Sequence, residues 1–201
     1  MRNTFDRFNG RHQDYQAARP SYAQEFLDWL GELYAPPERY TAADIGSGTG
    51  KLSAQLLAAG FRVCGVEPNP DMRGAAEALL GGDPRFSSSN GTDHDTGLPD
   101  RSVDMVAAAQ AFHWFDGPAF ARECRRILRP GGRAVLVWNV RGSAPVNQAL
   151  AQVFREHCPS FHGFTGGMGE DDPRIRDFFG GAYEKRRFPN PLTLDRDRFL
   201  R

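Results

Sequence analysis

Ala42-Ala43-Asp44-Ile45-Gly46-Ser47-Gly48-Thr49-Gly50 decides how this chain is read. The apolar run from Ala42 to Ile45 predicts a short buried strand, and three glycines at alternate positions follow it at once. Lys51 to Ala59 then carries apolar residues at helical spacing and ends at Gly60. A strand, a glycine turn and a helix start, in that order, suit a nucleotide-like ligand. Glycine lets the backbone approach a ligand with no Cβ in the way, and a helix start presents N–H groups that have no partner within the helix.

The loop departs from both common phosphate-binding patterns. The dinucleotide pattern is G-x-G-x-x-G, and here the third glycine comes one residue early. A P-loop needs glycine where Ile45 stands and Ser or Thr where Leu52 stands. Asp44 adds a sign: a carboxylate entering the turn repels a pyrophosphate and suits a cationic ligand that also offers amines. S-adenosylmethionine, with its ammonium and sulfonium, is such a ligand. On these residues the chain resembles the class I S-adenosylmethionine-dependent methyltransferases, whose first motif is an acidic residue followed by G-x-G-x-G. A glycine-rich turn with no ligand is the plain alternative, and the residues that follow argue against it.

Phe61 to Val66 predicts a second strand, closed by Glu67, which stands 23 residues after Asp44. In a strand-helix-strand unit an acid near this spacing sits at the tip of the second strand, where its two oxygens accept from both ribose hydroxyls. An ordinary loop carboxylate is the plain alternative, and the spacing argues against it.

At 201 residues the chain can bury a real core as one α/β domain. Basic and acidic residues number 25 each, so no net field draws the chain to nucleic acid or to a membrane surface. No apolar run approaches the roughly 20 residues of a membrane span, and the first residues lack a signal-peptide core. Cys64, Cys124 and Cys158 are odd in number and widely spaced, so free thiols are expected and a disulfide framework or metal site is not. A soluble, cytoplasmic protein is the expectation.

Residues 1–20 read by themselves as a loose terminal arm. The run from Tyr15 to Tyr22 resembles the segment before the first helix in one branch of these methyltransferases, which implies a lid over the cofactor with Tyr15 and Arg19 facing the active site. The planar fork of Arg19 suits a carboxylate of substrate or cofactor. Ser21 reads as the N-cap of a helix running to about Tyr34 and ended by Pro36-Pro37. After Glu67, Asp71 reads as the cap of a helix from Met72 to Leu80. The resemblance places Pro68, Asn69 and Met72 at the adenosine, although Met72 reads equally as core. Arg85 to Ser88 predicts a polar third strand near a sheet edge. In Gly91-Thr92-Asp93-His94-Asp95, which sits where related enzymes recognise the adenine amine, Asp93 is the residue taken for that role. The family more often shows Ala-Glu where this chain has Asp93-His94, and His94 reads as a solvated loop histidine.

Met105 to Ala109 predicts a central parallel strand, and ligands of open α/β sheets bind beyond such carboxyl ends. The motif that follows, Gln110-Ala111-Phe112-His113-Trp114-Phe115, resembles the trans-aconitate methyltransferase branch of the methyltransferase type 11 domain. That implies Gln110 and Ala111 at the cofactor and His113 and Trp114 at the acceptor, while a structural hydrogen bond is the other reading of His113. Asp116 caps a helix through Arg129, with Arg122, Arg125 and Arg126 as a solvated face. Leu128 to Arg133 reads as a turn and Ala134 to Trp138 as a fifth strand, with Asn139 ending it beside the cleft. Beyond, a helix from Pro145 to His157 turns Val146, Leu150, Val153 and Phe154 inward. A loop over 158–181 is anchored by Phe161, Phe164, Phe178 and Phe179; a sixth strand covers 182–188, and a helix starts at Leu194. Family members continue into a further strand beside the fifth. The resemblance therefore implies that the last strand of the family's sheet is missing here and that the open edge invites association into oligomers.

The chain thus reads as one domain over residues 1–201, on a Rossmann-like, doubly wound, mostly parallel α/β sheet flanked by helices. Within it lie a lid segment (1–20), a cofactor core (40–139) and an incomplete substrate-side region (140–201). The implied reaction transfers a methyl group from S-adenosylmethionine to a small-molecule acceptor. Arg19 and the trans-aconitate-like loop lean toward a carboxylic acid, and His113 is the candidate base for an acceptor with a proton to lose. The alternative is a protein that binds S-adenosylmethionine without turnover. An NAD-dependent oxidoreductase is disfavoured by the early third glycine. Each hydrogen bond to the Glu67 carboxylate is worth about 1.5–3 kcal/mol. Glu67→Ala is therefore expected to weaken S-adenosylhomocysteine binding on the order of ten- to a hundred-fold, as read by isothermal titration.

Overall fold

Five strands form one parallel sheet in the computed structural model of the chain, which describes residues 20–141, 145–158, 160–161 and 168–192. Helix α1 (Gln24–Leu33) precedes β1 (Thr41–Ile45), α2 (Lys51–Ala58) and β2 (Arg62–Val66). Then follow α3 (Pro70–Leu80), β3 (Phe86–Ser89), β4 (Val103–Ala109), α4 (Gly117–Ile127) and β5 (Leu128–Val137). Helices α5 (Pro145–His157) and α6 (Pro173–Phe178) complete the described elements. The strand order is β3-β2-β1-β4-β5, and every neighbouring pair runs parallel. The order reverses between β1 and β4, which opens a crevice at the carboxyl ends of those two strands. This is the Rossmann-like sheet read from the sequence.

Strand alternation divides the core into two layers. Ala43, Ile45, Val106 and Ala108 face Phe112, Phe120, Cys124 and Ile127 on one side of the sheet. Ala42, Met105 and Ala107 face Phe26, Leu30, Leu52 and Leu56 on the other. Both faces are covered, which is why these strands read as continuous apolar runs. Each fully buried large side chain contributes about 1.5–3 kcal/mol. Cys64 and Cys124 are buried free thiols, and Cys158 is free and exposed.

Several local expectations are corrected. Helix α1 starts three residues after Ser21, with no side chain bonded at its cap, Ala23. The cap of α3 is Asn69, whose Oδ1 accepts from the N–H groups of Asp71 and Met72 at 3.0 Å each; Asp71 lies inside the helix. Pro70 at the first helical position sets this register, because the residue before a helix-initiating proline must be the cap. Strand β5 begins at Leu128, earlier than expected, and its register shifts between Val103 and Met105 as the Pro-Gly-Gly segment bulges. Residues 182–188 join no strand. Their charges pair with the preceding loop instead: Lys185 Nζ donates to Asp171 Oδ1 at 3.0 Å, and Arg187 meets Glu170. Phe188 packs on Phe26 and Trp29. Within the expected 158–181 loop, Ile175 and Phe178 of α6 are buried, and Phe178 stacks on Phe120 at 5.1 Å. The expected inward face of α5 is not buried: Val146 and Val153 are each 52% exposed. Phe164 and the helix expected from Leu194 lie outside the described residues. Among the described residues no helix is long and apolar enough to cross a membrane.

The arginine face of α4 is not wholly solvated either. Glu123 is buried, and its Oε1 accepts from Thr96 N at 2.9 Å, from Thr96 Oγ1 at 2.6 Å and from Arg126 Nη2 at 2.7 Å. Arg126 reaches on to Asp100 at 2.7 Å. Burial alone raises the Glu123 carboxyl, but the bonds from Arg126 and Thr96 outweigh it and hold it at about 2, below its ordinary 4.5. A folded value below the unfolded one means that the stabilisation is complete above pH 4.5 and is lost as pH falls toward 2. Glu123→Gln puts an amide against the guanidinium. It is expected to cost about 2 kcal/mol at pH 7 and much less at pH 3, as measured by urea unfolding at both values.

Candidate functional site

The site is built where β1 ends. Strand alternation turns Asp44 toward α2, where it is fully buried beside Ser53. Its Oδ2 accepts from Ser53 Oγ at 2.7 Å, and its Oδ1 has no partner among the described residues. Burial pushes this carboxyl up to about 6; hydrogen bonds from Ser53 oppose the shift and the nearby charge of Glu67 adds to it. A buried carboxylate oxygen left without a donor is costly. It is the kind of orphan that a ligand satisfies.

After Asp44 the chain turns through Gly46, Gly48 and Gly50, at φ of 68°, 56° and 79°. The turn is pinned from behind, since the N–H groups of Gly46 and Ser47 both donate to Val66 O, at 2.9 and 3.2 Å. A Cβ on Gly46 would stand 2.8 Å from Ala111 Cβ and 3.1 Å from the Phe115 ring, so only glycine fits. At Gly48 the reason differs: the space beside it is open and the backbone alone demands glycine. That opening faces the crevice.

Glu67 closes β2 and reaches across to this loop. Its Oε2 accepts from Gly48 N and its Oε1 from Asn69 N, each at 2.9 Å. A carboxylate offers about four acceptor positions, so each oxygen keeps one to spare beyond these two bonds. Burial raises the Glu67 carboxyl, with the Asn69 and Gly48 N–H groups and the Arg73 charge pulling the other way. Arg73 Nη1 in turn holds Glu67 O at 2.8 Å and Asn90 Oδ1 at 3.0 Å, fixing the loop after β2.

The cleft beyond β1 and β4 is lined by Asp44, Gly46, Ser47, Gly48 and Gln110 among the residues predicted from sequence. Gln110 sits at a left-handed φ of 55°, held by its N–H to Val137 O at 2.9 Å and its Nε2 to Asn139 O at 3.1 Å. A non-glycine residue held there is a strained conformation of the kind that collects at binding sites. Asn139, placed beside the cleft by the sequence, lines it.

The other predicted residues lie around this centre in different roles. Asn69 caps α3, Pro68 leads into that cap, and Met72 is buried on the helix. Ala111 packs beneath Gly46 and does not line the cleft. Asp93 ties two loops, its Oδ2 accepting from Asp116 N at 3.0 Å and its Oδ1 lying 3.2 Å from His94 Nδ1. His113 and Trp114 occupy a single 3-10 turn with rings 4.8 Å apart; His113 is half-buried and Trp114 is 48% exposed. Tyr15 and Arg19 lie outside the described residues. Sequence reasoning missed Ser53, Lys51 and Tyr22. Ser53 was findable, since helical spacing puts it on the buried face beside Leu52 and Leu56.

Residues 43–136 match a family described as the methyltransferase domain. An uncharacterised methyltransferase of Mycobacterium tuberculosis is 42% identical over 127 residues, 63% of this chain and 49% of that protein. A Schizosaccharomyces pombe protein, also an uncharacterised methyltransferase, is 32% identical over 72% of this chain and 57% of its own length. This chain spans about half the length of the curated relatives it matches. A solved structure from Anaeromyxobacter dehalogenans, assigned as a type II methyltransferase, is 31% identical with a TM-score of 0.59. That likeness covers 88% of this chain and 70% of the other.

Because Asp44 is held near pH 6 by burial, a cationic ligand group beside it selects the ionised form. Affinity for S-adenosylhomocysteine, which carries an ammonium, is expected to be flat above pH 6 and to fall below it. The limiting slope is about tenfold per pH unit. Titrations between pH 5 and 7.5 read this directly, and Asp44→Asn should flatten the profile.

Proposed function

The chain belongs to the methyltransferase family, and we propose that it binds S-adenosylmethionine at the ends of β1 and β4 and passes the methyl group to a small-molecule acceptor. The observation that carries this reading is the pair of carboxylates set at one loop: Asp44 with an orphaned oxygen, and Glu67 bonded to Gly48 with acceptor capacity to spare. The first suits a cationic group and the second a ribose diol. The residues present therefore fit the cofactor.

When bound, S-adenosylmethionine supplies an electrophilic methyl group on its sulfonium. The work left to the protein is placement, and alignment of two reactants can be worth about 7–11 kcal/mol. Glu67 and the glycine loop fix one end of the ligand, while Gln110 and Asn139 bound the cleft on the β4 and β5 side. On the acceptor side we place His113 and Trp114, with Tyr15 and Arg19 from the N-terminal arm. A small carboxylic acid is the acceptor class that Arg19 favours, and as a carboxylate it needs no base. An amine, phenol or carbon acid needs one, and His113 is the residue offered for that proton.

The test is label transfer from methyl-labelled S-adenosylmethionine to a panel of small acids, amines and phenols, with His113→Ala run beside the wild type. Label appearing in a carboxylate ester at equal rates in both proteins supports the acid reading and removes His113 from proton transfer. Label in an amine or phenol, lost on the order of a hundred-fold or more with His113→Ala, assigns it as base. Tight binding with no transfer to any acceptor would leave a cofactor-binding protein without turnover.

A further inference from the structure

Residues 20–22 cross the mouth of the cleft, and Pro20 and Tyr22 line it. Three side-chain amides, from two sides, grip this tripeptide. On the α2 side, Gln55 Oε1 accepts from Tyr22 N and Gln55 Nε2 donates to Tyr22 O, both at 2.9 Å. On the β5 side, Asn190 Nδ2 donates to Ser21 O at 2.8 Å and to Asn139 Oδ1 at 2.9 Å. Asn139 Nδ2 also leans on Ser21 O and Pro20 O, at 3.3 and 3.4 Å, and its own carbonyl takes the Gln110 amide at 3.1 Å. Asn190 thus joins the last described segment of the chain to the first, 169 residues away.

We propose that Asn190 and Asn139 form a clasp that holds residues 20–22 across the cofactor cleft and slows the ligand's escape. This rests on the cofactor reading above. Asn190 itself does not line the cleft, so it is a positioning residue that acts through Ser21 and Asn139. It is exposed, so its removal leaves no cavity and little stability is lost. What its removal takes away is the donor that keeps two acceptors, Ser21 O and Asn139 Oδ1, facing one another. Gln55 from the opposite wall and the two long Asn139 Nδ2 contacts, at 3.3 and 3.4 Å, are then what hold the tripeptide.

The experiment compares S-adenosylhomocysteine dissociation rates in the full 201-residue chain and in the variants Asn190→Ala, Asn190→Asp, Asn139→Ala and the Asn139→Ala/Asn190→Ala double. Asn190→Ala is expected to speed dissociation about tenfold with little change in melting temperature. Asn190→Asp should be worse than Ala, because a carboxylate sets acceptor against acceptor; a side chain that merely fills space would give the reverse order. The double variant should cost less than the sum of the two single changes, since the two side chains are bonded to one another and share Ser21 O. Wild-type rates in both Asn190 variants, or Ala worse than Asp, overturn the clasp. A second measurement separates this from the cofactor reading: amide hydrogen exchange at Tyr22 in the ligand-free protein, which Asn190→Ala should speed. If the wild type binds no S-adenosylhomocysteine, the cofactor reading fails and the exchange result decides the clasp alone, with an unchanged rate at Tyr22 overturning it.

Discussion

A carboxylate buried at the carboxyl end of the central strand is the constraint on which this structure turns. Asp44 has β2 on one side, β4 on the other and α2 above it, and one of its oxygens meets no donor among the described residues. A fold selected for stability alone would not keep it, because an unsatisfied buried acceptor costs about 1–3 kcal/mol. Ser53 meets part of that cost through the other oxygen. Under the proposed function the remainder is met by a ligand that brings positive charge or a donor into the crevice.

The rest of the site follows from holding that point still. The glycine turn leaves β1 immediately beyond Asp44, and it is fastened from below by Val66 O and from the side by Glu67. Glu67 is therefore a support first, since its bond from Gly48 N sets where the loop sits, and under the proposed function the same carboxylate also binds the ligand. Substituting it disturbs both functions at once, so its effect on binding is not the energy of its ligand contacts alone. Preorganisation of this kind is what placement chemistry needs, since a loop that had to order on binding would subtract that ordering from affinity.

What could be read from the residues beforehand divides along physical lines. The β1–loop–α2 unit and the tip of β2 were readable because spacing there is dictated by local geometry: a strand, three left-handed glycines and a helix start admit few arrangements. The cap of α3 was also present in the sequence, in Pro70, and was misread because Asp71 is the more familiar cap residue. Residues 182–188 were misread for a different reason. Alternating side chains permit a strand, but pairing needs a neighbour, and Glu170 and Asp171 captured the charged side chains instead. Asn190 could not have been found, because nothing local distinguishes it. Its partner is Ser21, and only the closed fold brings the two together.

That same division separates the two halves of the proposed reaction. The cofactor side consists of strand ends and backbone N–H groups held by short bonds within the sheet. The acceptor side consists of a 3-10 turn carrying a half-exposed Trp114, together with segments joined to the core by side-chain amides at Asn139 and Gln55. Backbone bonds inside a sheet open only with the sheet, whereas amide contacts at an exposed rim open at little cost. Under the proposed function a ligand that must enter, react and leave therefore has its way through the rim, while the carboxylates assigned to recognise it stay in place. On this reading the identity of the acceptor is decided by the parts of the chain least constrained by the fold, which is why motif spacing locates the cofactor cleft so much more sharply than it names the substrate.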